Sequence, residues 1–311
     1  MDRRGFLKTT AAAALATAIG ADMAETGKKP FPKRELGRTG EKLSIIGFGG
    51  IVINGEKQDD ANRMVREAID AGINYFDVGP AYGDAEERLG PALRGHRDKV
   101  FLACKTGKRD RTGALEELHR SLKRLETDHL DLYQFHGLSK MEELDKVMGP
   151  GGALEAFVEA REKGLVRFLG FSAHSVEVAL TAMDRFKFDT ILFPINWVCW
   201  FKSDFGPQVV KVAKSKGMGI LALKSLAYTP WPEGAKREHP KCWYQPVSDP
   251  KVAALALRFT LSEPVTAAIP PGDIHLFKLA VSLAQRFKPL TDDERKELEK
   301  RAIGIKPIFP Q

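Results

Sequence analysis

The feature that most constrains this chain is an alternation, repeated eight times between Ser44 and Arg286, of a short apolar run and a longer amphipathic stretch. The apolar runs are SIIGFGG from Ser44, NYFDVG from Asn74, VFLACKT from Val100, LDLYQFH from Leu130, VRFLGFS from Val166, TILFPIN from Thr190, GILALKS from Gly219 and VTAAIPP from Val265. Helical patterning fills the intervals over 61–71, 86–93, 113–125, 154–163, 176–186, 207–216, 251–261 and 274–286. Gly72, Gly95, Gly164 and Gly217 fall where helix C-terminal glycines belong. Strands separated by helices can pair in parallel, and runs such as ILFPI and GILAL, apolar at every position, suit a sheet covered on both faces.

The predicted fold class is therefore α/β, a (β/α)8 TIM barrel. A chain of 311 residues is long enough for two average domains, yet one barrel of this kind uses about 250 residues. An open doubly wound sheet is the competing architecture. It would place a GxGxxG turn after the first strand, and Gly47, Gly49 and Gly50 imitate that pattern only in part. The segment RELGRTGEKL, Arg34 to Leu43, has a glycine-centred turn between short polar runs and reads as a hairpin closing the barrel's bottom.

Composition narrows the class further. With 43% hydrophobic and 29% charged residues the chain can bury one large core, which excludes a disordered or fibrous protein. Its three cysteines, Cys104, Cys199 and Cys242, are too few and too scattered for a disulfide framework or a four-cysteine metal or cluster site. The net charge of +7 is spread among both signs, with no basic stripe interleaved with aromatics, so a nucleic-acid partner is not expected.

The first 24 residues, MDRRGFLKTTAAAALATAIGADMA, pair a basic opening with an alanine-rich stretch too short and too weakly apolar to span a bilayer. They read as an export signal, with no stable membrane insertion. Arg3 and Arg4, followed by Phe6, Leu7 and Lys8, resemble the twin-arginine (Tat) signature of bacteria. That resemblance implies the Tat export machinery as a partner and a periplasmic, or otherwise extracytoplasmic, destination. Cargo of this route is usually folded and often cofactor-loaded. Ala16 and Ala18, or Ala21 and Ala24, could flank a cut. Residues 25–32 then form a linker and 33–311 the barrel domain.

Barrels of this class carry their chemistry at the C-terminal strand ends. Asp77 ends the second strand, Tyr82 follows it in the adjoining loop, Lys105 ends the third strand and His136 the fourth. A carboxylate, a phenol, an ammonium and an imidazole on one rim suit proton transfer to a carbonyl oxygen. Each also has a structural reading, as an ion pair, a packing aromatic or a partly buried histidine. Their joint occurrence at three consecutive strand ends selects the catalytic one.

The segments FDVGPAYG, LACKTG and LYQFHG resemble the tetrad-bearing segments of the aldo-keto reductase superfamily, in the same order and strand context. The resemblance spans most of the mature chain. It implies Tyr82 as acid, Lys105 lowering its pKa, Asp77 holding the lysine, and His136 orienting or polarising the carbonyl. It implies a nicotinamide cofactor as hydride source, NADP(H) with NAD(H) not excluded, and a small-molecule carbonyl or alcohol substrate. The rival reading from another class is a nucleotide-binding sensor that keeps the tetrad but turns over slowly. No clear His and Glu cluster supports a metal-dependent barrel lyase or isomerase.

The same resemblance implies cofactor contacts from Gly49 and Gly50, from Ser172 to the carboxamide, and from Asn196. Ala173 and Leu192 stand where many relatives have asparagine and glutamine, and Leu223 where many stack a tyrosine on the nicotinamide. Lys224 and Ser225 are candidates for the pyrophosphate. Gly272 and the helix start after it could take phosphate through backbone donors and the helix dipole, with Lys278 the nearest basic residue. On the substrate side Trp197, Trp200 and Trp231 are candidate pocket walls, whereas packing is the preferred reading for Trp243 and Tyr244. Strand alternation points Cys104 away from the barrel interior. The oligomeric state stays open.

Overall fold

The computed structural model describes residues 30–247 and 249–309, so the candidate signal 1–24 and residues 25–29 of the linker lie outside the described residues. Pro32–Gln311 forms one compact unit. It begins with an antiparallel hairpin, β1 (Lys33–Glu35) and β2 (Lys42–Ser44), in register Lys33↔Ser44. Its turn lies against the backbone of residues 217–219, so close that a Cβ on Gly37 would stand 2.3 Å from the Gly219 nitrogen. Arg38 donates to the Lys216 carbonyl at 2.9 Å. Leu36 and Leu43 thereby cap the apolar core that Tyr75, Phe101, Leu132 and Leu221 build inside the barrel.

The barrel strands are β3 (Phe48–Gly49), β4 (Tyr75–Asp77), β5 (Phe101–Thr106), β6 (Leu130–Leu138), β7 (Val166–Ala173), β8 (Thr190–Pro194), β9 (Gly219–Leu223) and β12 (Ala267–Ala268). Each pairs in parallel with its neighbour in chain order, apart from a hairpin inserted between the last two. A parallel bridge between Ile46 and Ala268 joins the two ends. The Gly47 amide donates to the Ala268 carbonyl at 3.0 Å and the Ala268 amide to Ile45 at 2.9 Å. The sheet is thus a closed (β/α)8 barrel. All eight predicted strands are present, the first and last reduced to two residues of ladder each.

The eight predicted helices form as α1 (Gln58–Asp70), α2 (Ala85–Ala92), α3 (Arg111–Arg124), α5 (Ala153–Glu162), α6 (Val176–Arg185), α8 (Pro207–Ser215), α9 (Pro250–Ser262) and α10 (Ile274–Ala284). Three more were not expected: α4 (Met141–Met148), α7 (Trp197–Ser203) and α11 (Asp292–Ala302). The first two run only eight and seven residues. The third buries only Leu298 and Ala302 and starts at a capping box in which Thr291 and Glu294 satisfy each other's backbone amides. The inserted hairpin, β10 (Ala227–Pro230) and β11 (Tyr244–Pro246), also went unread because its strands pair across a long loop.

Away from the rim, Asp131 at the start of β6 is a buried carboxylate. It accepts from the Leu102 amide at 2.8 Å, from Arg167 at 2.6 Å and from Arg97 at 3.0 Å. Removing it strands a guanidinium that is largely enclosed. Asp131→Ala is expected to cost about 3 kcal/mol, read as a lower urea midpoint at unchanged slope; a loss within about 0.5 kcal/mol would show that water replaces the carboxylate.

Candidate active site

Alternation along three adjacent strands builds the site in layers. Tyr75, Ala103 and Leu132 belong to the inner core, and two residues on, where the same face recurs, stand Asp77, Lys105 and Gln134. All three are buried. Asp77 Oδ1 takes the Lys105 ammonium. Its Oδ2 accepts from Gln134 Nε2 at 3.1 Å and from the Tyr75 hydroxyl at 3.3 Å. Lys105 donates also to the Val78 carbonyl at 3.3 Å.

One layer higher, the loop after β4 turns through a bond from the Tyr82 amide to the Gly79 carbonyl and presents the Tyr82 ring to the rim. Lys105 Nζ lies 5.0 Å from the centre of that ring. His136 meets it edge-on, centroids 5.6 Å apart at 85°. The four residues singled out in the sequence thus converge on one cavity of about 320 Å³.

The cofactor candidates divide. Gly49, Ser172, Leu223, Lys224 and Gly272 line this cavity. Ser172 Oγ is held in place, accepting from the Gly137 amide at 2.7 Å and donating to the Phe135 carbonyl at 3.4 Å. Gly50 sits behind the wall, packed so tightly that a Cβ would meet Val78 at 2.7 Å. Ser225 is buried, its hydroxyl without a partner among the described residues. Asn196 is engaged within the fold instead. Its Oδ1 caps α7 through the Cys199 amide at 2.8 Å, and its Nδ2 donates to the carbonyls of Lys224 and Ala227 at 3.3 Å each. Lys278 pairs with Glu67 of α1 at 2.8 Å, both side chains well exposed and neither in the cavity wall.

The helix start after Gly272 departs from expectation. Asp273 caps α10, accepting from the His275 amide at 2.9 Å and the Leu276 amide at 3.0 Å. Those donors are taken by a carboxylate, which also holds His239 Nδ1 at 3.0 Å. An added phosphate would meet a filled and negatively charged helix terminus.

The aromatic wall is corrected as well. Trp197 is wholly buried beside Tyr228 at a separate cavity, Trp200 packs edge-on against Phe259, and the Trp231 indole donates to the Cys242 carbonyl at 2.9 Å. None of the three lines the catalytic cavity. Trp243 and Tyr244 do, because pairing of β11 with β10 carries them back over the rim. Lys241 fastens that returning segment, donating to the Val52 carbonyl at 2.7 Å and to Glu56 at 2.8 Å. His174 and Gln134 are further site residues that the sequence reading passed over. Cys104, as expected, faces outward, its thiol 3.3 Å from Glu86 on α2. Among the described residues no group of three or more His, Cys, Asp or Glu is placed to hold a metal, and no helix is long and apolar enough to cross a membrane.

The electrostatics assign each group a protonation state. Burial opposes the charge on Lys105, but Asp77 and Tyr82 outweigh it and hold its pKa above the ordinary lysine value. Burial likewise raises Tyr82, against a lowering pull from Lys105. Lys105 thus exerts the lowering pull expected of it, and desolvation by burial outweighs that pull. Burial, then the Lys105 charge, pushes His136 down to about 3, and burial with Lys224 pushes His174 to about 4. Both imidazoles are neutral at pH 7.

A histidine whose folded pKa lies below its unfolded value of about 6.5 binds its proton preferentially in the unfolded chain. His174 therefore contributes stability that is complete above about pH 6.5 and lost as pH falls toward 4. In His174→Gln the slope of unfolding free energy over that window should be shallower by up to about 1.4 kcal/mol per pH unit; an unchanged slope would contradict a neutral buried imidazole.

Comparison with known proteins agrees with this architecture. The family model described as Aldo/keto reductase family matches residues 45–300. The chain is 26% identical over 298 residues to the uncharacterized oxidoreductase YqkF of Bacillus subtilis, covering 86% of this chain and 95% of that protein. It is 32% identical over 211 residues to the aldo-keto reductase YhdN of the same organism, covering 60% of each. It is 29% identical over 211 residues to L-galactose dehydrogenase of Arabidopsis thaliana, covering 62% of this chain and 65% of that one. Among solved structures, the holo form of aldo-keto reductase AKR11C1 from Bacillus halodurans superposes with a TM-score of 0.69 at 25% identity, over 89% of this chain and 98% of the other. The chain belongs to the aldo/keto reductase family of oxidoreductases.

Proposed function

We propose that the protein interconverts an aldehyde or ketone and an alcohol by hydride transfer, with NADP(H) as cofactor and Tyr82 as general acid and base. The observation that carries this reading is the convergence of Tyr82, Lys105, Asp77 and His136 on one cavity, with Lys105 held charged and His136 held neutral. A neutral His136 can donate an N–H bond to a carbonyl oxygen but has no proton to release near pH 7. The phenol is then the group that can protonate the developing alkoxide. Lys105, its charge secured by Asp77, stabilises the phenolate left behind.

When bound, the dinucleotide supplies the hydride. The residues present suit its nicotinamide end, with the apolar face of Leu223, the fixed Ser172 hydroxyl and the close backbone at Gly49, and the buried Ser225 hydroxyl, without a partner among the described residues, is a donor for its diphosphate. One observation favours NAD(H) as the second reading, since Asp273 places a carboxylate at the helix start where a phosphate would be sought.

Tyr82→Phe should lower kcat/KM for aldehyde reduction about 100- to 10 000-fold while NADPH still quenches tryptophan fluorescence; retained turnover would remove Tyr82 from the chemistry. Reduction of an uncharged aldehyde should stay constant between pH 5 and pH 8, about the range in which His136 is neutral and Tyr82 protonated, and decline only as pH rises past the ordinary tyrosine value of about 10. Titration with NADPH and NADH decides between the two coenzymes.

We propose further that residues 1–24 direct export through the Tat machinery, on the strength of Arg3 and Arg4 ahead of the alanine-rich stretch. Replacing both arginines by lysine should leave the full-length chain in the cytoplasmic fraction, with the unaltered chain in the periplasm; equal distribution of the two would refute a twin-arginine route.

A further inference from the structure

Lys224 follows directly on β9 and takes φ +64°, a left-handed conformation that residues with a Cβ rarely adopt. Two bonds to its own carbonyl hold it there, from the Ala227 amide at 2.8 Å and from Asn196 Nδ2 at 3.3 Å. Such backbone conformations persist where the surroundings enforce them, commonly at sites of function. The enforced turn places the ammonium against the aromatic wall of the catalytic cavity, 5.4 Å from the Trp243 ring centre and 5.3 Å from that of Tyr244.

The charge has no carboxylate partner among the described residues. Asp77, the acidic residue in the cavity wall, is fully engaged by Lys105, Gln134 and Tyr75. Lys241, the third lysine of the wall, is paired with Glu56. The cavity therefore holds one uncompensated positive charge, beside two imidazoles that can offer N–H bonds without adding charge. Burial and the neighbouring Lys105 bring the Lys224 pKa down to about 8, as expected for an ammonium lacking a counter-ion.

We propose that Lys224, with His174 beside it, recognises a carboxylate on the substrate, so that the preferred substrate is an aldehyde or ketone carrying a monoanionic acid group. The assignment rests on the reductase reading above and adds its substrate class. A single ammonium in a cavity of about 320 Å³ matches one unit of negative charge better than a phosphate dianion. The cation–π contacts cover one side of the ammonium and leave its remaining donors for an anion.

The test compares 4-carboxybenzaldehyde with benzaldehyde, and succinic semialdehyde with butanal, on the full chain with saturating NADPH. The charged member of each pair should show about 10- to 100-fold higher kcat/KM, mostly through KM. In Lys224→Met that ratio should collapse toward unity, and in Lys224→Arg it should largely survive, while the Kd for NADPH stays near the wild-type value in both. No preference in the wild type, or a preference that persists in Lys224→Met, overturns the proposal. A weakened Kd for NADPH with the ratio intact also overturns it and moves Lys224 to the cofactor's diphosphate. Calorimetric binding of benzoate, with and without NADP+, is read independently of turnover. Were no aldehyde reduced, the reductase reading would fail by itself, and loss of benzoate binding in Lys224→Met alone would still support the anion site; no benzoate binding to the wild type would overturn it.

Discussion

The buried pair of Asp77 and Lys105 is the constraint around which the rim is arranged. An ammonium taken out of water without a partner costs several kcal/mol, and a carboxylate similarly. The barrel meets both demands by filling Asp77 with donors from three strands: Tyr75 on its own strand β4, Lys105 on β5 and Gln134 on β6. That network fixes strand register as firmly as apolar packing does. A one-residue slip of β5 would turn Lys105 toward the helices and bring Cys104 inward, leaving Asp77 without its cation. The ladder pairing of Lys105 with Gln134 is thus a structural requirement before it is a catalytic one.

The fixed charge on Lys105 then sets the states of its neighbours. It adds to burial in keeping His136 neutral, and it opposes burial at Tyr82 without overcoming it. The two histidines are left as hydrogen-bond donors or acceptors, and proton exchange falls to the phenol. An imidazole of ordinary pKa at His136 would compete for that role near neutral pH. Division of labour among the four residues follows from one desolvated cation and the burial around it.

How much of this was legible in the sequence depended on the range of the signal. Asp77, Lys105 and His136 could be found because strand ends and period-2 alternation are local properties. Gln134 obeys the same alternation two residues before His136, and His174 stands two residues after Ser172 at the end of β7; both were within reach of the rule that identified their neighbours. The aromatic wall was not. Which of the tryptophans reach the cavity depends on β11 returning to pair with β10, a contact that no local pattern encodes. Asn196 illustrates a different failure. The family resemblance implied a cofactor contact from its side chain, whereas the structure has it capping the short helix α7 and holding the turn at Lys224. At Tyr82 the sequence displays the lysine that pulls the phenol's pKa down but not the depth of burial that opposes it.

Asp273 shows how the departure at one end of the rim bears on the other. A helix N-terminus offers only a few free amides, and a carboxylate N-cap occupies two of them here while offsetting the helix dipole. The same carboxylate binds His239, and Lys241 binds Glu56 and the Val52 carbonyl, so the segment leading into Trp243 and Tyr244 is tied down at two points. Asp273 therefore serves the aromatic wall at the expense of anion binding at the helix. The unneutralised positive charge facing the cavity is then that of Lys224, held by an enforced backbone turn beneath that same wall. Anchoring the returning segment through His239 and filling the first amides of α10 are two results of one carboxylate at the helix start.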